Sequence, residues 1–407
     1  MTKGSNTDRR ALVVGLGISG IATALRLRQI GWQPVVIEKA PARRSGGYFV
    51  GLFGAGKAPA ERLGILERMS DRTSVDGAAF QIDRTGSRWP SLGFRDLPGN
   101  PRLLLRGDVE RAAFEALPAD VEVRYSTVPV GITQDDDGVD VTLRNTADDT
   151  TVVERFDLVV GADGLRSTVR PLAFGPNEDY LHRLNHMVAA FELPEALSDL
   201  ASEDGATLLE PGRSLWIFPF VDHAPTALLC WRTEDVDAEF TGPPVDRLRA
   251  VFGPEPLGRA LREVLAVMEQ TDEMLFDSVE QVRMDRWSRG RVVLVGDSAW
   301  CVTLWAGMGV SAGLAGADLL GSMLERHPHD ISRALDEWEA QLRPYIDYYQ
   351  TMGIAQRGFF MPYNHFQIAL RKAIVRGQRV PVVGTLWQNM QRSRKASRMK
   401  EKDIARV

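Results

Sequence analysis

The stretch that most constrains this chain is Gly15-Leu16-Gly17-Ile18-Ser19-Gly20. It follows a short β-branched run at 11–14 and opens a helical pattern with Ile21, Ala24, Leu25 and Leu27 on one side. A second short strand at 34–37 ends at Glu38. Strand, glycine turn, helix and strand make one β-α-β unit. Each glycine has a physical task in it. Gly15 permits the tight turn, Gly17 lets backbone approach a pyrophosphate, and Gly20 lets helix and strand pack closely. The helix N-terminus offers unpaired N–H groups and a partial positive charge to phosphate. Glu38 can accept from ribose hydroxyls, and its charge repels a 2′-phosphate. The nucleotide expected here is therefore FAD or NAD rather than NADP; a β-α-β unit without a ligand is the plain alternative.

At 407 residues the chain suits two interlocked domains with an added terminal element. Its net charge of -5 argues against a nucleic-acid partner bound through the overall field. Two cysteines, Cys230 and Cys301, give no disulfide framework and no metal site; they read as buried small hydrophobes in a reducing cytoplasm. None of the six histidines has convincing ligand or triad spacing. Residues 299–320 are nearly uncharged for a bilayer's width, yet Gly307, Gly309, Gly313 and Gly316 and the closing Asp318 favour a buried helix entered through a glycine loop. No transmembrane segment is expected.

A second cradle lies far downstream. Residues 291–295 form a buried strand, followed at once by Gly296-Asp297-Ser298-Ala299 and then Gly307-Met308-Gly309. A nicotinamide nucleotide needs no second site of this type, which favours FAD.

With these motifs in place the chain resembles the class A flavoprotein monooxygenases, the group of para-hydroxybenzoate hydroxylase and the tetracycline-inactivating oxygenases, with the latter type nearer. The resemblance rests on the glycine turn with Glu38; on Arg43-Arg44-Ser45-Gly46-Gly47-Tyr48; on Gly161-Ala162-Asp163-Gly164 with Arg166, Ser167 and Arg170; and on Gly296-Asp297 through Gly309. A weaker match is Leu103-Leu104-Leu105-Arg106-Gly107-Asp108. The resemblance implies a mixed α/β fold: a Rossmann-type FAD-binding domain (1–173 and 286–330), an inserted antiparallel-sheet substrate domain (174–285), and C-terminal helices with a basic tail (331–407). It assigns cofactor binding to Gly15, Gly17, Ser19, Gly20, Glu38, Lys39, Arg44, Gly47, Arg106, Asp163, Asp297, Gly307, Gly309 and Val310.

The activity it implies is reduction of FAD by NADPH, a transient co-substrate, then uptake of O2 as a flavin C4a-hydroperoxide and transfer of one oxygen to substrate. The substrate expected is a bulky, mostly apolar small molecule of secondary metabolism, hydroxylated or epoxidised, and a carrier protein could deliver it tethered. The sequence departs from the family at Trp300, where histidine is usual, and at Leu304, where proline is usual. That opens two alternatives, a redox-neutral cyclase or rearrangement enzyme and a flavin dehydrogenase. Trp300 reads as core filler.

Strand-like runs at 187–191, 214–220 and 226–231 suit the substrate sheet. Trp216, Phe218 and Phe220 alternate and share one face; with Trp305 they either line a pocket or fill a sandwich core. Residues 331–350 read as a helix packed back on the FAD domain. From Arg371 to Lys402 the chain is basic, with Arg392, Arg394, Lys395, Arg398 and Lys400 among Val382, Val383, Leu386, Trp387 and Met390. This tail reads as a solvated helix with one buried face, or as a peripheral membrane or carrier-protein contact.

Overall fold

The computed structural model describes residues 9–43, 47–74, 76–97, 100–253, 256–271, 273–378 and 395–406. A six-stranded sheet runs, in spatial order, Ser288–Arg289, Val292–Leu294, Leu158–Gly161, Arg10–Val14, Gln33–Ile37, Glu122–Arg124. All its neighbours are parallel except the edge pair Ser288–Arg289 and Val292–Leu294. Its central strands are continuous apolar runs because both faces are covered: Leu12, Val13, Val36, Val159 and Val293 have no exposed surface.

The register decides where chemistry can occur. Val14 sits opposite both Gly161 and Ile37, and Gly161 opposite Leu294. The parallel strands therefore end at one edge, and the chain leaves that edge through the glycine turn, Glu38, Asp163-Gly164 and Gly296-Asp297 in turn. In an open α/β sheet, ligands bind in the crevice beyond these carboxyl ends.

A seven-stranded sheet lies alongside, ordered Leu275–Val282, Leu181–Glu192, His223–Arg232, Arg213–Phe220, Gly205–Glu210, Ala79–Ile82, Arg88–Pro90. Every pairing is antiparallel except Gly205–Glu210 with Ala79–Ile82. The last two strands fall within 1–173, the segment expected to belong to the nucleotide-binding domain. The distant partner of Ala79–Ile82 lies more than a hundred residues on, and a strand of four residues is too short for its periodicity to point there. The two faces of this sheet differ. Met187, Ala189, Leu215, Ile217, Leu229 and Trp231 pack under the amphipathic helices Pro244–Phe252 and Gly258–Met268. Val188, Ala190, Trp216, Leu228 and Cys230 face the other way, against Tyr48, Phe49, Leu304 and Trp305.

The helix Gly309–Arg326 is almost wholly buried, as a glycine-rich apolar helix should be. The helix Ile331–Phe360 packs on it, and Trp338 Nε1 donates to the Gly316 carbonyl at 2.9 Å. The sequence pattern marks a helix over 331–350; the helix carries Pro344 in its interior and runs ten residues beyond 350, to Phe360. Trp300 is core filler, in a cluster with Trp287 (4.8 Å) and Trp338 (5.8 Å). Among the described residues no helix is long and apolar enough to cross a membrane.

Of the basic tail, residues 379–394 lie outside the described residues, so the expectations for Arg392, Arg394, Val382, Val383, Leu386, Trp387 and Met390 do too. The described end folds back on the body. Tyr349 Oη donates to the Met399 carbonyl, Gln341 Nε2 to that of Ile404, and Lys400 Nζ lies 4.5 Å from the Phe53 ring.

Candidate active site

The glycine turn is built as its sequence requires. Gly15 has φ +108°, and a Cβ there would strike the Ala162 carbonyl. A Cβ on Gly20 would collide with the Gly15 carbonyl oxygen, so this glycine permits helix–strand packing. Gly17 differs: a Cβ there would meet only Glu110 Oε1, at 3.9 Å. Its surroundings are open, leaving room for a ligand against the backbone. The helix it caps, Ile18–Gln29, has no side-chain N-cap, so its first N–H groups are free.

Glu38 is fixed by backbone. Its carboxylate accepts from the Leu16 amide (2.9 Å) and the Ala40 amide (3.0 Å), which poses it beside the turn with acceptor capacity to spare. Lys39 points outward, exposed. Ser19 packs in the space that Gly296 and Gly313 leave, since a Cβ on either would collide with its hydroxyl. Arg44 lies outside the described residues.

Asp163 caps a helix. Its carboxylate accepts from the Ser167 hydroxyl (2.7 Å), the Thr168 amide (2.6 Å) and hydroxyl (2.8 Å), and the Val169 amide (3.1 Å). The turn that follows is pinned to the downstream cradle. The Gly164 amide donates to Ser298 Oγ (2.9 Å), and fully buried Arg170 donates to the Ser298 carbonyl (2.7 Å).

A charged group collects at the mouth between the sheets. The Arg106 amide donates to the Tyr48 carbonyl (3.0 Å), and its guanidinium pairs with Glu110 (2.8 Å) one helical turn on. Gly47, at φ +148°, lets the two segments touch, because a Cβ there would sit 3.1 Å from Arg106 Cβ. Asp297 lies deep in the molecule, yet its surface is exposed: it faces an open crevice. That depth raises its pKa, with Arg106 opposing. Burial likewise raises the Tyr48 phenol, again with Arg106 opposing. Burial works against the Arg106 charge, but Tyr48, Glu110 and Asp297 together raise its pKa.

The far wall of the crevice is the start of Gly309–Arg326. Gly307 is left-handed (φ +65°), Gly309 is exposed with nothing within 4 Å of a Cβ, and half-buried Val310 follows. This helix too lacks a side-chain N-cap. Two uncapped helix N-termini thus border the crevice beyond the strand ends. Leu304, in the family's proline place, starts a 3₁₀ turn, Leu304–Ala306, that forms without proline.

The aromatic candidates gather on the sheet face toward this crevice. Phe218 stacks on Phe49 (3.5 Å) and lies parallel to Trp216 (6.2 Å), and Trp305 joins the same cluster with His186 edge-on to it at 5.1 Å. Phe220 sits in a neighbouring cluster with Leu103 and Leu105.

A family model of the FAD binding domain matches residues 8–330. The chain belongs to this family. Within it, the class A flavoprotein monooxygenases are its kin, and the chain is an FAD-dependent oxidoreductase of the monooxygenase type. It is similar to a flavin-dependent monooxygenase from an unknown prokaryotic organism, 28% identical over 354 residues that cover 85% of this chain and 88% of the relative. A flavin-dependent monooxygenase of Legionella longbeachae serogroup 1 (strain NSW150) is 28% identical over 359 residues, with the same coverage of 85% and 88%. The crystal structure of tetracycline destructase Tet(51) superposes with a TM-score of 0.75 at 26% identity, covering 94% of this chain and 97% of that one.

Three residues of the candidate site, Glu110, Tyr48 and Ser298, are not among those the sequence assigns to it. Glu110 was signalled by its i, i+4 spacing from Arg106. Tyr48 and Ser298 were inside matched motifs, but nothing local marks a backbone carbonyl or a hydroxyl as a strut.

Proposed function

We propose that the chain holds FAD in this crevice and uses NADPH and O2 to hydroxylate or epoxidise a bulky, mostly apolar small molecule. The observation that carries this reading is the pair of uncapped helix N-termini opening on one crevice, with Asp297 and Arg106 at its mouth. The N-terminus at Gly17 suits a pyrophosphate, and Glu38 suits a ribose. Arg106 adds a cation for phosphate or ribityl oxygens, and Asp297 an acceptor for ribityl hydroxyls. The N-terminus at Gly309 sets a positive end where a reduced ring gathers negative charge. When bound, FAD supplies the two-electron and oxygen chemistry, while the protein binds, orients and excludes water.

The aromatic face of Trp216, Phe218 and Trp305 holds the substrate; the relatives named tetracycline destructases act, by that name, on a polycycle of this bulk. The division into 1–173 with 286–330, 174–285 and 331–407 accords with this arrangement, extended by the strands at 79–90. Two unpaired thiols, Cys230 and Cys301, suit a cytoplasmic enzyme. The described tail spends Lys400 and Lys402 on the aromatic rings of Phe53 and Tyr345, which favours a structural role over a membrane or carrier contact.

The test is turnover of bulky acceptors with NADPH in air. Gain of one oxygen atom per NADPH consumed supports the reading. A product isomeric with its substrate, formed without NADPH, would establish the redox-neutral alternative.

A further inference from the structure

Arg371 lies on the helix His365–Gln378, carried by a stretch that reads in sequence as a solvated basic tail, yet it is 4% exposed. Its Nη1 donates to Gln81 Oε1 at 3.2 Å, and Gln81 is itself 3% exposed. Its Nε and Nη2 are buried without a partner. Those two atoms form one edge of the guanidinium, with parallel N–H bonds matched to the two oxygens of a carboxylate. The guanidinium rests between rings, 5.6 Å from that of Trp216 and 4.6 Å from that of Phe359. Among the described residues no carboxylate pairs with it, and burial alone pulls its pKa down to about 10, so it remains charged at neutral pH. The segment that follows, 379–394, contains no Asp or Glu. A buried cation without a counter-charge is costly, and proteins keep one where an anion arrives.

The surroundings say where that anion belongs. Gln81 pairs across the sheet with Thr207, Thr207 with Trp216, and Trp216 with Leu228, so Arg371 stands at one end of a row on the crevice-facing side. From Trp216 the stacked rings of Phe218 and Phe49 lead to Tyr48, whose carbonyl accepts from Arg106. Thr226 Oγ1, on the same face, is also buried and unpartnered.

We propose that Arg371 and Gln81 form the anion-binding end of the substrate site, and that the ligand is a bulky apolar acid: its rings or chain lie on the aromatic row and its carboxylate pairs with Arg371. This rests on the reading of that face as the substrate side, and deepens it.

The experiment compares binding of 2-naphthoate and its neutral counterpart 2-naphthamide to the flavin-loaded protein, read by tryptophan quenching without NADPH. The wild type should prefer the acid by about tenfold or more. Arg371→Met should erase that preference while keeping flavin and a melting temperature equal to or above the wild type, because it removes an unpaired buried charge; Arg371→Lys should restore part of the preference. Equal affinity for both probes in the wild type, or a preference that survives Arg371→Met, overturns the proposal. So does a lowered melting temperature in Arg371→Met, which would make the arginine structural. The readout is binding alone, so its failure is separate from any failure of oxygen chemistry.

Discussion

The Gly164 amide donates to the Ser298 hydroxyl at 2.9 Å, joining two loops that the chain separates by 134 residues. With Arg170 on the Ser298 carbonyl, this bond ties the downstream cradle to the Asp163-Gly164 turn. Ser298 is fully buried, so removing its hydroxyl leaves an amide without its partner. Ser298→Ala should cost about 1–3 kcal/mol, read by denaturant unfolding. An unchanged unfolding midpoint would show that the two loops hold their places without it.

The glycines of the first turn should separate folding from ligand binding. Gly17→Val places its side chain in open space, so the variant should fold and melt near the flavin-free wild type but lose flavin. Gly20→Ala drives a methyl into backbone, at about 1–3 kcal/mol or more, and should fail in stability itself. Flavin content and melting temperature of the two purified variants are the check. A Gly17→Val protein with full flavin would remove the crevice from the account.

His186 should make the fold acid-sensitive. Burial lowers its pKa to about 4, its Nδ1 donates to the Leu184 carbonyl, and it is 2% exposed. The unfolded chain takes up a proton near pH 6.5, whereas the folded chain resists until about pH 4. Stability is therefore lost as pH falls through that window, by up to about 3 kcal/mol for the full shift. His186→Phe should flatten this part of the stability–pH curve. An identical slope in the variant would assign the acid loss elsewhere.

The described tail should support the body without holding flavin. Arg62 pairs with Asp403 (2.7 Å) and with buried Asp318 (2.7 Å), and Lys400 covers Phe53. Truncation after residue 394 should lower the melting temperature, while flavin stays bound because its motifs lie earlier. Flavin loss without any change in melting would place the tail in the cofactor site.

The nucleotide-binding half was legible because its signals are local. The runs at 11–14 and 34–37 mark strands within a residue of their observed bounds, and the spacing of Gly15, Gly17 and Gly20 states what each must do. In the antiparallel sheet the strands at 187–191, 214–220 and 226–231 were legible, but Gly205–Glu210, Leu275–Val282 and the edge pair at 79–90 were not, since Ala79–Ile82 pairs with a strand whose distance no local pattern records. Asp163 shows another limit. Its motif was visible, but not that its carboxylate would be taken up in capping a helix. Arg371 shows the sharpest one: an arginine amid lysines and arginines reads as surface, and only packing against Trp216 and Phe359 reveals it as buried.

The central claim, oxygen activation in this crevice, is tested most directly by rapid mixing of the chemically reduced, flavin-loaded protein with oxygenated buffer while the flavin spectrum is followed. The account expects a transient species, distinct from both reduced and oxidised flavin, that decays to the oxidised form, with Leu304 no obstacle to it. A direct return to oxidised flavin, unchanged when substrate is present, would contradict it and favour the redox-neutral or dehydrogenase alternatives.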